Sequence, residues 1–308
     1  MLTEEFQYGS RDMRHKIHAR GWLPAGAPKA QLIIVHGMSE HIGRYGEMAE
    51  YLASEGIAVA GADLLGHGLT ANEAGKFGFF CDNDPATIVV RDVHRLKKLM
   101  EKKYPGVPIF IFGHSMGSII VREYLNCYGT GVSGAILMGC VDRSVAESRV
   151  SKHLLELMAV FRGWEAKSDF ATKTALYRNT KGKPRFPTLS HREESVKAHA
   201  EDPFCNHEFT LNGYYTLCEL MKRANNKKHL SRVPKDLPIL LLCGKEDQFG
   251  DYGAAPERIR ARYEKAGVKN VTVRLFDKDA HEVYQEEDRF DAFVNIADFI
   301  TGGKRRNV

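Results

Sequence analysis

Ile109-Phe110-Ile111-Phe112-Gly113-His114-Ser115-Met116-Gly117 is the stretch from which the rest of the chain can be read. Four apolar residues run into Gly-x-Ser-x-Gly, and the text then continues in helical style to about Tyr128. At average glycine and serine usage, the five-residue pattern arises by chance in about one chain in ten of this length. Its place between a strand and a helix gives it force, because a strand–turn–helix is what a nucleophile elbow needs. The turn is so tight that a side chain at Gly113 or Gly117 would collide with a neighbouring strand or helix. Ser115 then projects its hydroxyl above a sheet, at the positive end of a helix.

Working outward, similar apolar runs recur on both sides: Leu32–Val35, Ile57–Ala62, Ala135–Met138, Ile239–Leu242 and Val271–Leu275. Continuous runs, as opposed to alternating ones, suit strands covered on both faces. The intervening text reads as helices. Tyr45, Met48, Ala49, Leu52 and Ala53 share one face, and Gly56 closes that stretch. Asp84-Pro85 makes a cap and first turn for a helix that buries Val89, Val93, Leu96 and Met100 and stops at Tyr104-Pro105. Pro256 to Ala266 and Glu286 to Ile300 supply two more. Strands alternating with helices predict an α/β fold, with a mostly parallel sheet and helices on both faces. Glu5–Gly9 and Lys16–Trp22 read as an antiparallel hairpin at one edge. The rhythm breaks from about Val141 to Val233, where no convincing central strand appears. The expected organisation is a core of residues 1–140 and 234–308 with a mostly helical insertion, 141–233, that contains a loop with Pro184 and Pro187.

Composition narrows the class. The 308 residues are 43% hydrophobic and 27% charged, ordinary for a globular chain with a large core. The formal charge of +5 is scattered, with dense basic clusters only at Lys227-Lys228 and Lys304-Arg305-Arg306, so no nucleic-acid partner is expected. Six cysteines show neither CxxC nor zinc-like spacing, which is reduced-compartment usage. The acidic start, Met1-Leu2-Thr3-Glu4-Glu5, carries no secretory signal, and no apolar run is long enough to span a bilayer. A cytoplasmic location is expected.

A serine hydroxyl is a poor nucleophile until a base takes its proton, and the base is steered by an acid. In chain order the acid follows the serine and the histidine comes last. His281, beyond the run 271–275, is the last histidine in the chain. Asp247, just beyond the run 239–242, is the expected acid, with Glu246 and Asp251 as neighbouring alternatives. Both positions fall at strand C-terminal ends, where open α/β sheets bind ligands. A tetrahedral intermediate also needs two backbone donors. Met116 N–H follows the nucleophile, and Met38 N–H lies in His36-Gly37-Met38-Ser39-Glu40-His41, the loop after the first apolar run. Their side chains are free to line an apolar pocket. His36 and His41 show no third ligand and no carboxylate partner in the sequence, so no metal is expected. His114 is expected to pack inside the elbow, and His67, in Gly66-His67-Gly68, to be a satisfied loop histidine. No P-loop or GxGxxG is present, and no cofactor is expected.

Three stretches together carry a resemblance: Tyr104-Pro105-Gly106-Val107-Pro108 through Gly117, His36 to His41 followed by Arg44-Tyr45, and Gly66-His67-Gly68 after Asp63. With Leu189-Ser190 leading through Val196 to Asp202-Pro203, the chain resembles the monoacylglycerol lipase and lysophospholipase branch of the α/β-hydrolases over nearly its whole length. The resemblance implies Ser115, Asp247 and His281 as the triad and Met38 and Met116 as oxyanion donors. It also implies that Glu40, His41 and Arg44 brace the oxyanion loop, and that the insertion is a cap over an acyl pocket. Ser39 and Ser118 stand where that family usually has glycine.

The expected activity is hydrolysis of single-chain acyl esters (monoacylglycerols, lysophospholipids or simple carboxylesters) through an acyl-enzyme. An amidase or aminopeptidase of the same fold is the alternative, and would require carboxylates in the cap such as Glu156, Glu165 or Asp169. A non-catalytic ligand-binding protein is the alternative from another class. The apolar face from Leu154 to Phe161 could dip into a membrane surface, although packing on the core is its expected use.

Overall fold

The computed structural model describes residues 1–176 and 189–303; Pro184, Pro187 and the basic tail lie outside them. An eight-stranded sheet runs through the chain in the order β1-β2-β4-β3-β5-β6-β7-β8. The strands are β1 (Leu2–Gly9), β2 (Lys16–Leu23), β3 (Ala30–Val35), β4 (Ile57–Ala62), β5 (Ile109–His114), β6 (Gly134–Met138), β7 (Ile239–Gly244) and β8 (Val271–Phe276). β1 and β2 pair antiparallel, as the sequence predicts, and β2 joins β4 antiparallel. All later pairings are parallel, in registers such as Val35 with Gly113 and Met138 with Leu242. Parallel pairing brings the C-terminal ends of β3, β5, β6, β7 and β8 to a single rim.

The unbroken apolar runs have the expected cause. In β3, β5, β6 and β7, alternate residues serve two separate cores. Ile33, Ile111, Leu137 and Leu241 meet α3 (Pro85–Lys103), α4 (Met116–Tyr128) and α10 (Ala254–Lys265). Leu32, Phe112, Ile136 and Leu242 meet α1 (Gly46–Ser54) and α11 (Arg289–Thr301). β8 departs from the expectation of cover on both faces. It is the edge strand, and Thr272 and Arg274 are exposed between half-buried Val271, Val273 and Leu275. The short helix α2 (Gly68–Ala74), absent from the sequence reading, ends at Gly75 in the left-handed region.

Between β6 and β7 the described residues form α5 (Val145–Arg162), α6 (Asp169–Leu176), α7 (Glu193–Glu201), α8 (Leu211–Ala224) and α9 (Lys227–Leu230), with only an isolated Lys167–Thr210 bridge as β structure. Local signals set their starts. Ser144 and Glu147 close a reciprocal capping box on α5, and the Thr210 hydroxyl accepts Gly213 N–H to open α8. α5 buries Leu155 and Ala159, but Leu154, Leu157, Val160 (78% exposed) and Phe161 (80% exposed) face outward. The run from Leu154 to Phe161 therefore packs on the core only in part. Among the described residues no helix is long and apolar enough to cross a membrane.

Candidate active site

The elbow forms where β5 ends. Ser115 sits at φ 51°, ψ −114°, a strained conformation for a side-chain-bearing residue, and its N–H is held by Met138 O at 2.9 Å. The closeness of the turn is measurable at the flanking glycines. A Cβ at Gly117 would lie 2.0 Å from Val35 O, and one at Gly113 would lie 2.4 Å from Gly117 O. Ser118 is buried and returns its hydroxyl to Ser115 O at 2.6 Å.

The rim brings Ser115, Asp247 and His281 together. His281 Nε2 lies 2.8 Å from Ser115 Oγ, and its Nδ1 lies 3.0 Å from each oxygen of Asp247. A carboxylate only accepts, so Nδ1 carries the proton and Nε2 is left to accept from the serine. Asp247 is fully buried, and its Oδ1 also accepts Phe249 N–H at 2.9 Å. Burial alone would lower the His281 pKa. The charge and hydrogen bond of Asp247, with the more remote charges of Glu282 and Glu40, reverse this and hold it above the usual histidine value. The alternative acids are turned elsewhere: Glu246 pairs with His191, and Asp251 with Arg258.

The loop after β3 is gripped by one buried carboxylate. Glu40 accepts Gly37 N–H, Arg44 Nη1 (2.7 Å), the hydroxyls of Tyr45 (2.8 Å) and Tyr284 (2.9 Å), and His114 Nδ1 (3.1 Å). Burial would raise its pKa, yet the His114 hydrogen bond and the Arg44 charge hold it well below the carboxylate range. Arg44 then forks onto both oxygens of Glu282 at 2.7 Å. Met38 and Met116 line the same pocket as Ser115. Met116 occupies the first position of α4, where an N–H has no carbonyl one turn earlier to bond.

Several histidines differ from expectation. His114 does pack inside the elbow, but it bridges, with Nε2 3.3 Å from His281 O. His36 accepts Leu64 N–H at 3.0 Å, and burial lowers its pKa, keeping it neutral. His67 is buried and only half satisfied: Nδ1 meets Leu65 O at 3.0 Å, Nε2 has no hydrogen bond, and burial pushes its pKa down to about 3. His41 does have a carboxylate partner, Asp202 at 2.8 Å across the fold. With Cys205 these two could in principle offer three ligands to a metal. However, His41 Nδ1 accepts Gly43 N–H, so Nε2 keeps its proton for Asp202. A ligating imidazole needs the reverse arrangement. Burial also pushes the Cys205 thiol up, away from the thiolate a metal requires.

Beside Ser115 the pocket is lined by Leu189, His199, Leu217, Phe249 and Glu282. An apolar cavity under α5 adjoins it, lined by Leu154, Leu155, Met158, Phe170, Tyr214 and Met221 among others. Ile119, Val141 and Leu217 line both. Sequence reasoning missed Glu282, Tyr284 and His199. Glu282 and Tyr284 lie within three residues of His281, which was the available signal for them; His199 carries none.

The family model for serine aminopeptidase S33 matches residues 26–288. The chain belongs to this family of α/β hydrolases. It is therefore a serine hydrolase of the monoglyceride lipase and esterase type. It is 38% identical to human monoglyceride lipase, over 90% of this chain and 85% of that one. It is 33% identical to phospholipase YtpA of Bacillus subtilis, over 87% and 94% respectively. Among solved structures, a thermostable carboxyl esterase from Bacillus coagulans, in complex with glycerol, superposes with a TM-score of 0.90 at 28% identity, covering 98% and 99% of the two chains.

Proposed function

We propose that this chain hydrolyses single-chain acyl esters through Ser115, His281 and Asp247. The observation that carries the reading is the continuous hydrogen-bonded line from buried Asp247 through His281 to Ser115 Oγ. Ser115 attacks the ester carbonyl while His281 Nε2 takes its proton, and the tetrahedral oxyanion is met by Met38 and Met116 N–H. Loss of one such donor costs about 10²–10³ in kcat. His281 passes the proton to the departing alcohol, and the acyl-enzyme forms. Water then enters and gives a proton to His281 as its oxygen adds to the acyl carbon; the bond to Ser115 breaks, His281 returns the proton to Ser115 Oγ, and the acid leaves. Asp247 fixes the tautomer and stabilises the charged imidazole.

Residues 141–233 act as the cap in this account. The apolar cavity under α5 takes the acyl chain, and the side of the pocket formed by Leu189, His199, Phe249 and Glu282 takes the alcohol. Val150, Leu157, Val160 and Phe161 face outward from α5 and form the surface that touches lipid. The spacing of the six cysteines supports a cytoplasmic location.

An aminopeptidase would need a free carboxylate to meet the substrate amine. The carboxylates lining the pocket, Glu40 and Glu282, are both committed to Arg44. Glu156 turns to His153 and Glu165 to Lys76. The test is kcat/KM on monoacylglycerols, lysophospholipids and p-nitrophenyl esters of graded length, against aminoacyl-p-nitroanilides. Turnover of single-chain esters with at least about 10²-fold slower amides is expected. Faster cleavage of the anilides would overturn the reading in favour of a peptidase.

A further inference from the structure

The loop that carries Met38 is held from two sides, and the second side belongs to the insertion. On the core side Glu40 takes Gly37 N–H. On the other, Ser39 is buried in the left-handed region at φ 57°. Its hydroxyl donates to His207 O at 2.5 Å, and its own carbonyl accepts Asn206 N–H at 3.1 Å. Two residues on, His41 meets Asp202. The segment that receives these contacts is itself stiff. Asp202 Oδ1 accepts Phe204 N–H at 2.8 Å, Asn206 Nδ2 reaches back to His199 O at 2.8 Å, and the His207 ring stacks on Phe77 with centroids 3.8 Å apart.

We propose that Ser39 is a positioning residue through which the insertion sets the direction of Met38 N–H, so that the oxyanion site is complete only when segment 202–207 is seated on the core. The inference rests on the ester-hydrolase reading above. The direction of one N–H is fixed by the peptides on either side. Gly37 is pinned by the core and Ser39 by the insertion, so Met38 lies between two anchors on bodies that meet at this point. A serine adopts φ 57° less readily than glycine, which has no Cβ to oppose it. The two hydrogen bonds to residues 206 and 207 hold the serine there. If the insertion lifts to admit or release a ligand, both bonds break, the local strain favours relaxation of the loop, and the donor turns away. Transition-state stabilisation would then be switched by the seating of segment 202–207.

The test compares wild type with Ser39→Ala, which removes the hydroxyl, and Ser39→Gly, which removes it and relieves the strain. Three quantities are read: kcat and KM on a short p-nitrophenyl ester, the inhibition constant of an alkyl boronic acid, and that of the alkyl alcohol of equal length. The boronate forms a tetrahedral adduct on the serine and places an oxygen in the oxyanion site; the alcohol reports only ground-state binding. For Ser39→Ala, kcat should fall about three- to tenfold, as expected for loss of one net hydrogen bond. KM should hold, the boronate should weaken by the same factor, and the alcohol should be unchanged. Ser39→Gly guards against misfolding of the alanine variant; with no Cβ to oppose the left-handed turn it should lose less kcat than Ser39→Ala, with the boronate weakening in step with kcat and the alcohol again unchanged. Unchanged kcat and boronate affinity in both variants would overturn the proposal, as would equal weakening of boronate and alcohol. Absence of ester turnover in wild type would instead defeat the ester-hydrolase reading, and this inference with it.

Discussion

Asp247→Asn isolates the electrostatic and tautomeric role assigned to the acid while keeping its shape. The carboxylate serves two donors at once, Phe249 N–H at 2.9 Å and His281 Nδ1–H at 3.0 Å. An asparagine amide has only one acceptor oxygen. If that oxygen stays with Phe249 N–H, the NH₂ faces His281 Nδ1 and drives the ring proton to Nε2, where it points at Ser115 and cannot accept. A triad left in the wrong tautomer loses about 10⁴ in kcat, or about 5.5 kcal/mol of transition-state stabilisation. KM should stay within about twofold, because Asp247 touches no substrate in the proposed mechanism. The pH profile supplies a second reading. Neutral His281 is the active form, and its raised pKa means that wild-type kcat/KM falls with acid already above the ordinary histidine value of about 6.5. Burial is the largest influence and acts downward, and Asp247 is the largest influence that opposes it. Residual activity of the variant should therefore persist to lower pH than that of wild type. The assay is kcat and KM from pH 5 to 9 on a short p-nitrophenyl ester, with thermal unfolding to show that the variant is folded. A folded variant within about tenfold of wild-type kcat, or with an unmoved acid limb, would refute the assignment.

Glu40→Gln removes the charge that faces Arg44 in a buried network and turns an amide NH₂ toward the donors Arg44 and Tyr284, so it should destabilise the fold by about 3 kcal/mol in denaturant unfolding. Asp279 is buried with no hydrogen-bond partner for Oδ2, and burial together with the Asp288 charge pushes its pKa up to about 8. Its folded pKa lies above the unfolded value, so the folded state binds the extra proton and loses stability as pH rises from about 4 to 8. Asp279→Asn should then stabilise the chain by about 1–3 kcal/mol at pH 8 and by less at pH 5; equal gains at the two pH values would contradict this. Leu217→Trp narrows the passage shared by the Ser115 pocket and the cavity under α5. Excluding about four methylenes at ~0.8 kcal/mol each should cut kcat/KM for long-chain esters about 10²-fold while sparing acetyl and butyryl esters.

Much of the architecture was legible because each central strand is covered on both faces, which leaves an unbroken apolar run as its trace. The edge strand β8 shows the limit of that sign, since Thr272 and Arg274 face solvent within a run that looked continuous. The candidate serine could be singled out through the two glycines that its turn demands, and the candidate histidine because it is the last in the sequence. The acid was left among three neighbours. A loop places carboxylates at 246, 247 and 251 with no periodicity to sort them, and only the fold turns Asp247 inward and the others toward His191 and Arg258. The part played by Glu40 was visible only by resemblance, because its partners Tyr45, His114 and Tyr284 are scattered along the chain and meet only on folding. The contacts of Ser39 and His41 with residues 202–207 had no local sign at all, since they join segments more than 150 residues apart.

The central claim, an activated Ser115, is tested most directly by treating wild type and Ser115→Ala with a fluorophosphonate probe, weighing the intact proteins and sequencing the labelled peptide. One adduct per wild-type chain, on Ser115, and none on the variant is the expected result. An adduct on another residue, one that persists in Ser115→Ala, or no adduct on wild type at all would contradict it.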